Sequence, residues 1–149
     1  QPGRRVGYWL KVKPIMETLD LVITGAEWGA GKRAKWLATF VLSCKDGDNF
    51  LECGMMGTGI KEKGEGVTFD QLTKQLKPFI KTEKGKSVSI SPKIVVEIAY
   101  EEIQRSPNYS SGFALRFPRL IRIREDKSPY DADNTERIEK IYSKQRGRK

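Results

Sequence analysis

The chain of 149 residues contains no histidine. Imidazole acid–base catalysis and the most common zinc ligand are therefore excluded. Its two cysteines, Cys44 and Cys53, lack CxxC spacing, so no metal centre is expected. They flank Lys45-Asp46-Gly47-Asp48, a hairpin-turn sequence across which they can approach. Reduced thiols in an intracellular protein are the expected state, with a disulfide as the alternative. No run of 18 apolar residues exists to span a membrane, and no secretory h-region opens the chain. Gln1 stands where Met would, as in a piece cut from something longer, and no internal repeat is visible.

Basic charge is in excess, with a net charge of +9, and its distribution is uneven. Residues 1–37 carry seven basic and three acidic side chains, residues 38–115 ten of each, and residues 116–149 eleven and six. The excess sits wholly in the two end segments. Ends that converge would form one electropositive face suited to a polyanion. A generic Lys- and Glu-rich surface is the plainer reading.

Residues 8–13 alternate as a strand, with Lys11 and Lys13 on one face beside Trp9, and Pro14 ends it. Residues 19–26 form a second strand, glycines 25, 29 and 31 a loop, and residues 35–43 and 50–56 two more strands about the Asp46-Gly47 turn. Thr68 and Gln71 stand at capping-box spacing before a helix with Phe69, Leu72, Leu76, Phe79 and Ile80 at helical intervals. Pro78 stops or bends that helix near Lys77. Residues 88–91 and 93–101 are predicted strands, residues 104–111 a polar loop, and residues 113–124 the last strand. Asp133 is the predicted cap of a final helix with Ile138, Ile141 and Tyr142 as its apolar stripe, followed by a basic tail. From Leu19 the order predicts a mainly β, five-stranded OB-fold barrel with a helix between strands 3 and 4 and a C-terminal helix.

Three apparent motifs fail on chemistry. The glycine loop ending at Arg33 lacks the first Gly and the Ser/Thr of a phosphate loop. Lys45-Asp46-Gly47 lacks a residue of Lys-x-Asp-Gly and reads as a turn. Glu101 and Glu102 are strand neighbours and point to opposite faces.

The stretch from Arg116 to Lys127 is different in kind. Four arginines and a lysine are threaded through an apolar strand pattern. Guanidinium forks match phosphate oxygens bidentately. Arg122 and Arg124 share a face, and Asp126 can orient Arg124 or Lys127 by a charge-assisted bond. The pattern admits two readings, a polyphosphate grip or a salt-bridged barrel strand. Phe117 shares the parity of Phe113 and Leu115, which reads as core. The other reading is an apolar wedge against nucleic acid between Arg116 and Arg119.

Together these residues resemble the covalent nucleotidyltransferases, most closely the archaeal type of ATP-dependent DNA ligase. Trp9-Leu10-Lys11-Val12-Lys13-Pro14 looks like the Lys-x-Lys strand that closes the adenylation domain. Residues 19–26 look like the opening of its OB domain, and residues 116–127 like its final motif, ending in Arg-x-Asp-Lys. The resemblance implies three units: residues 1–18 as the last adenylation-domain strand plus hinge, 19–130 as the OB-fold domain, and 131–149 as C-terminal helix and tail. It implies nick sealing in double-stranded DNA by the whole enzyme, with ATP as AMP donor and Mg2+. The nucleophilic lysine of Lys-x-Asp-Gly is missing, so this piece alone is expected to be inactive. Lys11, Lys13, Arg124, Asp126 and Lys127 take catalytic roles by resemblance. Lys11, Lys13, Arg122, Arg124 and Lys127 would hold the nucleotide, and Arg116, Phe117, Arg119, Lys32 and Arg33 the duplex. The partners implied are nicked DNA and the adenylation domain, with any sliding clamp met through other parts of the enzyme and no membrane. A free-standing single-strand-binding OB module and the OB domain of an RNA-capping guanylyltransferase are the alternatives.

Overall fold

The computed structural model describes residues 17–57, 60 and 66–147. The predicted strand over residues 8–13 lies outside them. The chain is mainly β, with strands β1 (Leu19–Trp28), β2 (Leu37–Asp46) and β3 (Asn49–Met56) preceding helix α1 (Phe69–Leu76). Six short strands follow: β4 (Ile80–Lys84), β5 (Ser87–Ile90), β6 (Val95–Ala99), β7 (Glu102–Arg105), β8 (Phe113–Arg116) and β9 (Arg119–Ile123). Helix α2 (Thr135–Gly147) closes the order.

β1 organises the main sheet because it is apolar on both faces. Leu19, Leu21 and Ile23 enter the principal core, while Val22 packs with Val95, Ala132 and Phe50 on the other side. β1 pairs antiparallel with β2 along one edge. Its other edge is shared, Asp20 and Val22 facing β6 and Gly25 to Glu27 facing β5. The register slips between Ile23 and Gly25, and a slip of this kind bends and twists a strand. Gly25 lies at that bend, where a Cβ would meet Val41 Cγ2 at 3.2 Å and the Val88 carbonyl at 3.3 Å. β9 pairs with β6, and β4 pairs with β5 as the outer edge of the sheet.

The predicted order of three strands, a helix and further strands is present, but the described residues form nine strands. Two hairpins account for the excess. Gly85, with φ +63°, turns β4 back on β5. β4 is exposed on nearly every residue, so it carries no alternation from which to read a strand. The predicted last strand is broken at Phe117, whose φ is +51°, and Pro118 has no N–H for a ladder. Its first half, β8, pairs instead with β7, whose last two residues fall in the predicted polar loop. That hairpin sits against β3, where the Ser111 N–H donates to the Glu52 carbonyl at 3.1 Å.

The helix ends follow their sequence signals with one correction. Thr68 Oγ1 accepts from the Gln71 N–H at 3.1 Å, and α1 gives way to a 3-10 turn carrying Pro78. For α2 the cap is Asn134, whose Oδ1 accepts from the Arg137 N–H at 2.9 Å. Asp133, the predicted cap, points its carboxylate at the Asp20 N–H instead. Ile138 and Ile141 are buried as expected. Near the end of α2, the Gln145 side-chain amide accepts from the Ile103 N–H at 2.7 Å and donates to its carbonyl at 2.8 Å. Cys44 and Cys53 are buried free thiols.

Leu42 is fully buried beneath the β1–β2–β3 sheet. Leu42→Ala is expected to lower stability by about 3 kcal/mol through lost contact and a residual cavity. Urea unfolding checks this, and a change under about 1 kcal/mol would show that the core collapses around the site.

Candidate phosphate and nucleic-acid surface

One row of charge crosses three strands. Asp20 on β1 lies opposite Glu97 on β6, and Glu97 lies opposite Arg122 on β9. Two carboxylates directly across a ladder repel, so each needs a donor. Glu97 accepts from Arg122 Nε and from Thr18 Oγ1, both at 2.7 Å. These bonds, with Thr18 the larger influence, hold its carboxyl below the usual range. Asp20 accepts from Lys127 Nζ at 2.7 Å and from Arg124 Nη1 at 3.3 Å.

Arg124 is the centre of the group. Its Nε and Nη2 donate to the two oxygens of Asp126, each at 3.0 Å, in fork-to-fork geometry. Its third nitrogen reaches Asp20, so the whole fork is engaged. The Arg124 side chain is 15% exposed and Asp20 12%, whereas Asp126 is 65% exposed. The bond from Arg124 pulls the Asp126 carboxyl down to about 2, and Asp126 in turn holds Arg124 well above the ordinary guanidinium range. β9 ends at Ile123, so Asp126 lies in the turn after it and not on a continued strand face; from there it orients Arg124, while Lys127 turns to Asp20.

A clasp fixes the row to the end of the chain. The Asp20 N–H donates to Asp133 Oδ2 at 2.7 Å, and the Asp133 N–H donates to the Asp20 carbonyl at 2.8 Å. Burial pushes the Asp133 carboxyl up. Arg137 on α2 donates to Glu17 at 2.6 Å. Sequence reasoning had no role for Asp20 or Glu97 and read Asp133 only as a helix cap. The available signal was a single acid set in an apolar strand, as in Leu19-Asp20-Leu21 and Val96-Glu97-Ile98. Such an acid is seldom left without a partner.

The second feature is Phe117. Strand parity reads this residue as core, but the positive φ rotates it outward and it is 64% exposed. That conformation is costly for a bulky side chain. The Arg116 guanidinium lies 5.1 Å from the ring centroid and donates to Glu102 at 3.3 Å. Phe117, Pro118 and Arg119 face Ala99, Tyr100 and Glu101 across a groove of about 520 Å³. The Tyr100 hydroxyl is buried with no hydrogen-bond partner among the described residues, and burial pushes its pKa up to about 12.

The remaining expected residues do not join this group. Lys11 and Lys13 lie outside the described residues. Lys32 and Arg33 occupy the 3-10 turn Gly31–Arg33 beyond the far end of β1, about 30 Å of strand from Asp20. What meets the segment from Arg124 to Arg137 is the acidic pair Glu17 and Asp20, and of the basic side chains in residues 1–37 only Lys32, Arg33 and Lys35 are among the described residues. Among the described residues no three His, Cys, Asp or Glu side chains converge as a metal site.

Residues 33–127 match the family model described as the ATP dependent DNA ligase C terminal region. The chain is 60% identical over 152 aligned residues to a DNA ligase of Nanoarchaeum equitans, covering 99% of this chain and 27% of that protein. It is 49% identical to a DNA ligase of Archaeoglobus fulgidus, covering 97% and 26%. The chain thus spans about a quarter of the length of these relatives. Among solved structures, the ligase domain of M. tuberculosis LigD aligns with a TM-score of 0.63 at 21% identity, over 78% of this chain and 38% of that one. At that identity the likeness is one of fold.

The Asp126 carboxyl offers a direct test of the charge row. Its folded pKa of about 2 lies below the unfolded value of about 3.9. The Arg124 bond therefore adds stability that is fully present above about pH 4 and is lost as pH falls through about 2. Urea midpoints for Asp126→Asn are expected to fall less steeply than wild type between those pH values. Parallel curves would show that the pair contributes nothing.

Proposed function

Since this chain belongs to the family of ATP-dependent DNA ligase C-terminal regions, we propose that it serves the sealing of nicks in duplex DNA as the OB-fold part of a larger enzyme. The observation that carries the detailed reading is the row Arg122, Arg124 and Lys127, three cations on one face held by exchangeable carboxylates. Arg122, Arg124 and Lys127 would hold the β- and γ-phosphates of ATP, the phosphate oxygens adding to Asp20 and Glu97 as acceptors. ATP, when bound, supplies the adenylyl group. Asp126 keeps the Arg124 fork aimed. Lys11 and Lys13, on the segment 1–18 assigned to the adenylation domain, would neutralise charge at the α-phosphate.

The same domain would then present Phe117, Arg116 and Arg119 to the minor groove near the nick. The arginines meet phosphates, and the exposed ring meets the sugar and base edges. Turning from one task to the other takes a hinge, assigned to the connector around residues 15–20. Asp20, Glu97 and Asp126 are each already bonded to a cation, so the described residues offer no cradle for Mg2+. Location inside the cell, with the DNA, belongs to the same proposal.

The test joins this chain to an adenylation domain and follows the steps separately. Arg124→Ala is expected to slow enzyme adenylation about a hundredfold and to affect sealing of pre-adenylated nicks much less. Phe117→Ala is expected to weaken nicked-duplex binding about tenfold and to leave adenylation unchanged. Equal losses in both steps for both variants would reject the division of labour. Equal affinity for single strands and nicked duplex would favour a single-strand-binding module.

A further inference from the structure

Lys32 and Arg33 are too far from Phe117 to share one contact with it, but they lie beside a second basic turn. β1 ends at Trp28, whose N–H donates to the Lys86 carbonyl at 2.9 Å. On the other edge Trp28 pairs with Leu37, and the Gly29 N–H donates to the Trp36 carbonyl at 2.9 Å. The β1–β2 turn and the β4–β5 turn therefore flank the same strand end, about 10 Å apart at two strand spacings. Lys32, Lys84 and Lys86 are exposed, and none bonds a carboxylate among the described residues. Lys35 lies over the Trp36 ring at 5.0 Å. Of the described acids nearby, Glu83 accepts from Trp28 Nε1 at 3.0 Å and keeps its charge, Asp70 pairs with Lys74 at 3.0 Å, and Glu27 lies on β1. The turn is also fixed in shape. A Cβ on Gly29 would stand 2.6 Å from the Arg33 carbonyl oxygen, and Gly31 has φ +59°. The backbone folds tightly on itself and holds its basic residues in a preset arrangement.

We propose that these two turns form a second phosphate-backbone contact for duplex DNA, one barrel length from Phe117. The proposal rests on the reading that the Phe117 end meets a duplex. Lysines on β4 also discourage edge-to-edge pairing, but Lys32 sits in a turn with no edge to protect. β1 rises about 30 Å from end to end, which is about nine phosphate steps along one strand of DNA. A duplex lying along the barrel touches both ends only when it exceeds that length. Each lysine–phosphate contact releases a counterion, so the second contact has its own signature in salt dependence.

Anisotropy titrations over a range of salt, with duplexes of about 8 and about 24 base pairs, separate the contacts. The wild-type chain should bind the long duplex more tightly than the added number of sites explains. Lys84→Ala/Lys86→Ala should abolish that excess and lower the log–log salt slope on the long duplex by about 2, with the thermal midpoint unchanged. Identical affinity and slope for wild type and the double variant would overturn the second contact, provided Arg116→Ala/Arg119→Ala still lowers both. Failure of the wild-type chain to bind any duplex would overturn the Phe117 reading, and this proposal with it.

Discussion

The carboxylate of Asp20 is the constraint on which the site depends. It emerges from the most apolar strand of the sheet and is nearly removed from water. An isolated charge there would be costly, so the position is tenable only because Arg124 and Lys127 come to it. Its own backbone is clasped by Asp133 on both the donor and the acceptor side. One residue thus sets the first strand, the segment after β9 and the approach to the last helix in a common frame. The pairing also gives Arg124 a defined rotamer and a defined charge state before any ligand arrives.

Most of the architecture is written in local pattern. The apolar run over residues 19–26, the Asp46-Gly47 turn, the Thr68 cap and the stop at Pro78 each have a physical cause that acts within a few residues. What the pattern misreads is equally specific. β4 faces solvent and so shows no period, although Ile80 fits the helical spacing of α1. The run over residues 113–124 alternates convincingly, but a positive φ at Phe117 divides it and gives the halves different partners. A backbone conformation that a residue seldom adopts cannot be foreseen from that residue's preferences.

The candidate site was legible on its basic side and at Asp126, but not at its other acids. Arginines in a strand announce themselves, whereas Asp20 and Glu97 are ordinary acids until the sheet register brings them to Arg122 and Arg124. Separation in the chain, about a hundred residues between Asp20 and Arg124, hides the pairing. The same holds for Lys32 and Arg33. Their charge groups them with Arg116 and Arg119 in one-dimensional reading, and the length of β1 sets them apart. Charge counting finds which residues are unusual; only topology says which of them act together.

The amide of Gln145 has a consequence for how molecules of this protein meet one another. By offering one donor and one acceptor to Ile103, it imitates the peptide of an adjoining strand. The outer rim of the small two-stranded ribbon is thereby occupied by a side chain of the same molecule. A neighbour cannot extend that ribbon at Ile103 by adding its own backbone, and this flank stays inert to such stitching when molecules crowd together.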